Sequence, residues 1–328
     1  MDFRTKIQIP EADFKINHKH NMMFLGSCFS DNIGNLCMEH KFNTLSNPFG
    51  VLYNPVVIAD HIRRMLHDDI DVVPELHKSG ELWFDYRFHG SFSHPDKTVA
   101  GNNMVNAFDK AKNYLKQTDV LFITWGTSMV YRLKTSGETV ANCHQQPSTN
   151  FTRDKLTVNS IITDYSGFLN SIIKHNPDMR IVFTVSPVRH LKDGFIENQR
   201  SKAVLLLAAE ALEKNFSQVS YFSSYEIMMD DLRDYRFYNR DLTHPSPEAV
   251  DYLWEQFSQT YFDNKTELLN SKISTILNAF HHRIFFPENK EATKFAKAQL
   301  MKIKELRKVY PHLDFKKEYR YFKELINT

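Results

Sequence analysis

The chain has 328 residues, with 41 Lys+Arg against 39 Asp+Glu for a net charge of +2, and it is 42% hydrophobic and 24% charged. This is the balance of a soluble globular protein, which excludes disordered, collagen-like and coiled-coil chains. The near-neutral charge also excludes a polyanion partner for the protein as a whole. Only 10 glycines are present, well below the average of about 7%, so each is expected at a special backbone position. A chain of this length buries roughly three quarters of its unfolded surface around one core, with room for an appendage.

Taken in order, Met1 to Pro10 has no apolar run of signal-peptide length. Met22–Leu25 is a short apolar run and predicts a buried strand; Ile33, Leu36, Cys37 and Met38 behind it predict a helix. Residues 67–115 mix His, Asp, Gly and aromatics without a clear period and predict an irregular insertion. Val120–Trp125, Ile181–Val185 and Val219–Phe222 are further apolar runs of strand length. Helical patterns at Ile161–Lys174 and Ser201–Asn215 lie before and after the second of these. Continuous apolar strands alternating with helices predict a mostly parallel, doubly wound α/β sheet covered on both faces. From Asn264 onward the pattern is wholly helical, carried by Leu268, Ile273, Ile276 and Leu277, then Phe295, Ala298, Leu300, Ile303 and Leu306.

The expected organisation is therefore an α/β domain over 1–263 and a helical extension over 264–328. From Glu288 to Thr328 there are 11 Lys/Arg against 6 Asp/Glu. That surplus predicts a solvated helix face and no nucleic-acid partner. The extension is expected to pack on itself, with a homodimer as its second use. Cys28, Cys37 and Cys143 are odd in number and lack CxxC spacing, against a disulfide framework or structural zinc and in favour of a reducing compartment. The longest apolar helical run, Val204–Ala209, is far short of the ~20 residues of a membrane span. A cytoplasmic protein with no membrane partner is expected.

In open α/β sheets ligands bind beyond the carboxyl ends of the strands. Those ends carry Gly26-Ser27-Cys28-Phe29-Ser30, Gly126-Thr127-Ser128 and Ser186-Pro187-Val188-Arg189-His190, and further on Asp241-Leu242-Thr243-His244-Pro245. Ser27 sits where a strand turns into a helix. There its hydroxyl caps the helix or, given a base, attacks an electrophile. Asp241 and His244 form the chain's only Asp-x-x-His, a spacing that lets a carboxylate orient an imidazole general base. Cys28, beside Ser27, is an alternative nucleophile. No GxGxxG, P-loop, GxSxG or HExxH pattern occurs, so no cofactor and no metal are expected. The cluster Trp83-Phe84-Asp85-Tyr86 with Phe88 and Phe92 is expected in the core, with a pocket lining as the second reading.

Five separated segments carry a resemblance. Gly26-Ser27-Cys28-Phe29-Ser30 with Asn47-Pro48-Phe49-Gly50-Val51-Leu52-Tyr53-Asn54-Pro55, then Trp125-Gly126-Thr127, Asn142-Cys143-His144, Thr184 to His190 and Asp241 to Pro245, resemble in this order the bacterial GSCFA-type domain. That domain is a branch of the SGNH/GDSL hydrolase superfamily. The resemblance spans roughly residues 20–260 and implies a three-layer α/β/α, flavodoxin-like fold. It also implies a serine esterase with Ser27 as nucleophile, His244 as base and Asp241 as its partner, working through an acyl-enzyme. Ser27 and Gly50 N–H groups would serve the oxyanion. The superfamily's Gly-x-Asn-Asp turn reads Gly126-Thr127-Ser128 here, so its Asn is missing, and Thr127 and Asn142 both stand as replacements. Asn47, Asn54, His144, Arg189 and His190 are candidates for substrate contact.

The function expected is hydrolysis of a small-molecule or carbohydrate O-acyl ester such as an O-acetyl group. The alternatives are an O-acyltransferase with the same triad and a non-catalytic binding or scaffold protein on the same fold.

Overall fold

The computed structural model describes residues 5–67 and 73–327. The readings made above on residues 1–4 and on 68–72 of the insertion lie outside the described residues. In chain order the elements are β1 (Asn21–Gly26), α1 (Cys28–Glu39), β2 (Asn43–Ser46), α2 (Pro55–Leu66), β3 (His77–Ser79), β4 (Leu82–Phe84), α3 (Lys97–Leu115) and β5 (Val120–Trp125). They continue with β6 (Met129–Leu133), β7 (Phe151–Lys155), α4 (Val158–His175), β8 (Arg180–Val185), α5 (Gly194–Asn215), β9 (Val219–Tyr221) and α6 (Ser224–Glu226). Four helices close the chain: α7 (Pro247–Tyr261), α8 (Asn264–His281), α9 (Lys290–Val309) and α10 (Lys316–Ile326).

The described chain gathers into two compact units. The larger comprises residues 5–9, 21–34 and 44–256 and holds a five-stranded sheet in the order β2-β1-β5-β8-β9. β1, β5, β8 and β9 run parallel, with Gly26 level with Thr124 and Thr124 level with Thr184. Every residue of β5 is buried, as are five of six in β1 and β8. Alternate residues Met23, Leu25, Leu121, Ile123, Ile181 and Phe183 join one core with side chains of α2, α3, α4 and α5. Phe24, Phe122 and Val182, pointing the opposite way, are equally buried, and the Phe24 and Phe122 rings stack at 4.4 Å. Both faces are covered, which is why these strands read as unbroken apolar runs. The result is a three-layer α/β fold with a mostly parallel sheet.

The strand order locates a topological switch point. The chain builds β1, steps outward to β2, then returns across β1 to β5, so strand order reverses between β1 and β5. At such a switch point the loops beyond neighbouring strands part and leave room for a ligand. Ser27 follows β1 and Gly126 follows β5.

Part of the expected irregular insertion is regular. Residues 77–84 form the β3–β4 hairpin, turning at Gly80 with φ +57°, and Lys97–Leu115 is a 19-residue helix. Asp96 caps α3 by accepting from Val99 N, and Ala100, Met104, Phe108, Ala111 and Leu115 form its buried stripe. Two of those five are alanines, and Asn, Lys and Asp fill the other faces, so the helical period is diluted in the sequence. β2, Asn-Thr-Leu-Ser, is too polar to announce itself as a strand.

The smaller unit comprises Pro10–His20, Asn35–Asn43 and 257–327. Its core is built from Ile273, Ile276, Ala296, Ile303, Phe315 and Phe322, all nearly inaccessible. Glu318 is buried here and accepts from Lys41 Nζ at 2.6 Å. A buried carboxylate without such a partner would be costly. Lys294, Lys297, Lys302, Lys304, Arg307 and Lys308 of α9 are exposed, so the basic surplus lies on a solvated face. Among the described residues no helix is long and apolar enough to cross a membrane.

Candidate active site

The turn from β1 into α1 is tied down before any chemistry is considered. Gly26 has φ +141°, and a Cβ there would stand 2.1 Å from Thr124 O, so only glycine fits. Gly26 N donates to Asn47 Oδ1 at 2.8 Å, and Asn47 Nδ2 donates to Asp31 Oδ1 at 2.8 Å. Ser27 N continues the strand pairing to Thr124 O at 3.1 Å. Ser27 Oγ accepts from Phe29 N at 3.3 Å, Ser30 N donates to Ser27 O at 2.8 Å, and the residue is 1% exposed. Ser27 thus occupies the cap of α1, whose positive end faces it.

Asp241 and His244 are brought together. His244 Nδ1 lies 2.6 Å from Asp241 Oδ2, while Asp241 Oδ1 accepts from both Thr243 N (2.9 Å) and His244 N (3.0 Å). Leu242 takes φ +57° to close this turn. Hydrogen bonds from the His244 and Thr243 backbone and from the His244 ring hold the Asp241 carboxyl far below the usual range. The carboxylate fixes Nδ1 as the protonated nitrogen. Nε2 makes no hydrogen bond among the described residues, and the two side chains are 50% and 48% exposed. No hydrogen bond joins Ser27 Oγ to His244 among the described residues; the cap bond from Phe29 N uses a lone pair of Oγ and not its O–H.

The loop after β8 carries the Asp-x-x-His turn. Arg189 N donates to Thr243 O at 3.3 Å, and Asn239 N donates to His244 O at 2.7 Å. The Arg189 guanidinium lies 4.4 Å from the Tyr238 ring centre and 5.5 Å from that of Tyr235, and donates to Tyr238 Oη at 3.1 Å. His190 N donates to Asn198 Oδ1 at 2.9 Å. Its ring is largely buried, 5.5 Å edge-on from Tyr53, and among the described residues its buried Nε2 has no hydrogen-bond partner. Burial, then Lys202, then His244 push its pKa down to about 3, so this imidazole is neutral.

Several other residues marked by the sequence are engaged in building the walls. Gly50, at φ +75°, donates its N–H to Asn47 O at 2.8 Å. Asn54 caps α2 by accepting from Val57 N at 3.0 Å and sends Nδ2 to Val140 O at 3.4 Å. Thr127 N donates to Tyr53 O at 3.0 Å, and Thr127 Oγ1 accepts from Met129 N and shares a hydrogen with Ser201 Oγ, both at 3.0 Å. Asn142 Oδ1 accepts from His144 N at 2.7 Å. His144 Nε2 is within 3.0 Å of Asp85 O and 3.2 Å of Phe88 O, and its ring stacks on Phe84 at 4.3 Å, tying two loops together. Phe84 and Phe88 are core residues, whereas Tyr86 helps line a charged cavity of about 690 Å³. Burial, with Asp31 close by, raises the Cys28 thiol, which opposes the thiolate a cysteine nucleophile needs. Among the described residues no His, Cys, Asp or Glu cluster could hold a metal ion.

One residue escaped the sequence reading. Lys202 of α5 is 1% exposed, and its Nζ donates to Gly126 O and Ser186 O, each at 2.6 Å. It straps together the ends of β5 and β8. Burial pushes its pKa down to about 7, with the nearby Cys28 thiol opposing the fall. The signal was present: Lys202 lies on the stripe of Asn198, Ser201, Leu205, Ala209 and Leu212, all of which face inward.

Fold and site together define a three-layer α/β protein with a serine-capped turn at the sheet's switch point and an aspartate-oriented histidine on the last loop of the sheet domain. The chain belongs to the GSCFA family, matching it over residues 21–257, and residues 273–328 match the C-terminal domain of GSCFA domain proteins. No curated protein matches it in sequence. Among solved structures it is similar to a carbohydrate esterase family 3 protein from Talaromyces cellulolyticus, at 10% identity and TM-score 0.31, over 77% of this chain and 99% of that one. It is also similar to an acetyl xylan esterase, Est2A, from the rumen bacterium Butyrivibrio proteoclasticus, at 14% identity and TM-score 0.36, over 74% of this chain and 65% of that one. Likeness at those scores says nothing of this chain's chemistry.

Proposed function

We propose that the protein is a serine ester hydrolase of the SGNH type acting on small O-acyl esters such as O-acetyl groups. The observation that carries this reading is the Asp241–His244 pair. The carboxylate is locked by two backbone N–H groups, Nδ1 is held 2.6 Å from Oδ2, and among the described residues Nε2 makes no hydrogen bond. That is the state a general base needs. The serine turn at the switch point supplies the partner.

In the proposed reaction Ser27 Oγ attacks the acyl carbonyl as its proton passes to His244 Nε2. The tetrahedral intermediate collapses when that proton moves to the leaving alcohol, giving an acyl-Ser27 ester and neutral His244. Water then gives a proton to Nε2 and attacks the ester, and the proton returns to Ser27 Oγ as the carboxylic acid leaves. Asp241 stays ionised and stabilises the transient imidazolium.

Hydrolysis of p-nitrophenyl acetate against p-nitrophenyl octanoate tests this. Turnover of the acetate that falls at least about 10³-fold in both Ser27→Ala and His244→Ala supports the reading. Turnover that survives either substitution contradicts it.

A further inference from the structure

The proposed hydrolysis builds negative charge on the former carbonyl oxygen, and at least one side-chain donor is wanted there. The backbone donors marked by the sequence are occupied. Ser27 N–H goes to Thr124 O, Gly50 N–H to Asn47 O and Thr127 N–H to Tyr53 O. Thr127 Oγ1 lies in a closed set with Ser201 and Met129. Asn142 is oriented by the His144 N–H on its Oδ1, which leaves Nδ2 on the Gly90 side, 3.7 Å from where a Cβ on Gly90 would stand.

Among the described residues, a buried side-chain nitrogen just beyond β8 has no hydrogen-bond partner. His190 Nε2 is shielded from solvent and unbonded, and leaving such a group unsatisfied costs about 1–3 kcal/mol. It lies 3.1 Å from where a Cβ on Gly126 would stand. Gly126 is the first residue beyond β5, and the register that sets Gly26 level with Thr124 makes Ser27 level with Trp125, one residue short of Gly126. Tyr53 closes the same corner: its carbonyl accepts from Gly126 N at 2.8 Å, and its ring meets His190 edge-on. The absence of a side chain at Gly126 is what lets the His190 ring pack with its Nε2 directly against the backbone that follows β5.

We propose that His190, through its Nε2–H, donates to the oxyanion and so fills the place of the superfamily's missing asparagine. This rests on the hydrolase reading above. A neutral imidazole in the Nε2–H tautomer is a hydrogen-bond donor that does not compete with His244 for the serine proton. Burial keeps His190 neutral, with Lys202 and then His244, its charged or titratable neighbours, acting the same way. A site built this way stabilises the tetrahedral oxyanion more than the ground-state ester, so its loss lowers kcat rather than raising KM.

The experiment uses p-nitrophenyl acetate kinetics with methylboronic acid as the inhibitor, because the boronate forms a tetrahedral adduct on an activated serine. Wild type, His190→Ala and His190→Gln are compared, with folding checked by circular dichroism. The expected result is a fall in kcat of about 10²-fold or more in His190→Ala, with KM within threefold. Boronate affinity falls at least tenfold, and His190→Gln, which restores an N–H donor, recovers part of both. In wild type the His190 Nε2–H proton resonance moves downfield when the boronate binds. An His190→Ala variant that keeps kcat and boronate affinity within threefold overturns the proposal. So does a fall in both that His190→Gln does not relieve while the wild-type resonance stays put. If His190→Ala does not fold, the wild-type resonance decides alone. Failure of the underlying reading looks different: wild type is then neither inhibited by the boronate nor impaired by Ser27→Ala, and the role of His190 falls with it.

Discussion

Asp241 accepts three hydrogen bonds within one five-residue turn, and each has a separate consequence. The two backbone N–H groups fix the carboxylate; the third bond fixes the imidazole tautomer. Asp241→Asn presents an amide, which can donate to Nδ1 and stabilise the opposite tautomer. Turnover of p-nitrophenyl acetate in this variant is expected to fall about 10³- to 10⁴-fold with KM little changed, and equal activity would mean that the pair plays no part in the chemistry. The Ser27, Asp241 and His244 candidates could be read in the sequence because hydroxyl, carboxylate and imidazole each carry chemistry visible in the residue type. The engagement of Asn47, Gly50 and Thr127 could not be read. The roles of Asn47 and Thr127 depend on partners far away in the chain, as when Asn47 Oδ1 accepts from Gly26 N or Thr127 N donates to Tyr53 O, and that of Gly50 on a turn closed by its N–H to Asn47 O.

At the scale of elements, α5 does more than cover the sheet. Lys202 projects from its buried stripe and bridges the carbonyls that follow β5 and β8. Its pKa is pushed from 10.5 down to about 7, so between those values the unfolded chain holds a proton that the folded protein lacks. The unfolded state binding more protons means stability rises with pH across that window. Comparing wild type with Lys202→Met cancels the other groups. Urea denaturation is expected to show the difference moving in wild type's favour from pH 7 to pH 9.5, and a constant difference would mean that Lys202 keeps an ordinary pKa in the folded state. The strands β1, β5, β8 and β9 could be read from sequence because burial on both faces leaves an unbroken apolar run. β2 and α3 could not, since an edge strand is polar and the α3 stripe relies on alanine.

Across the whole molecule, acid stability is set by histidines. Burial pushes His18 and His61 to about 4 and His190 to about 3, and lowers His40 and His144 as well. Each is neutral in the fold but takes up a proton in the unfolded chain below about pH 6.5. The unfolded state then binds more protons, so stability falls as pH drops from 6.5 towards 4. Asp31 and Glu226, whose carboxyls burial raises, oppose this only between the ordinary carboxylate range and their raised values, where the folded state holds the extra proton. The thermal midpoint is expected to fall steadily from pH 7 to pH 4.5, and a flat profile would show that these rings are not held neutral.

The central claim is that Ser27 is an activated nucleophile. Incubation with a fluorophosphonate serine probe, followed by intact mass and peptide mapping, tests it most directly. A single adduct on Ser27, abolished in Ser27→Ala and in His244→Ala, is the predicted result. No adduct on the folded protein at high probe concentration, or an adduct on Ser30 or Cys28 in its place, would contradict it.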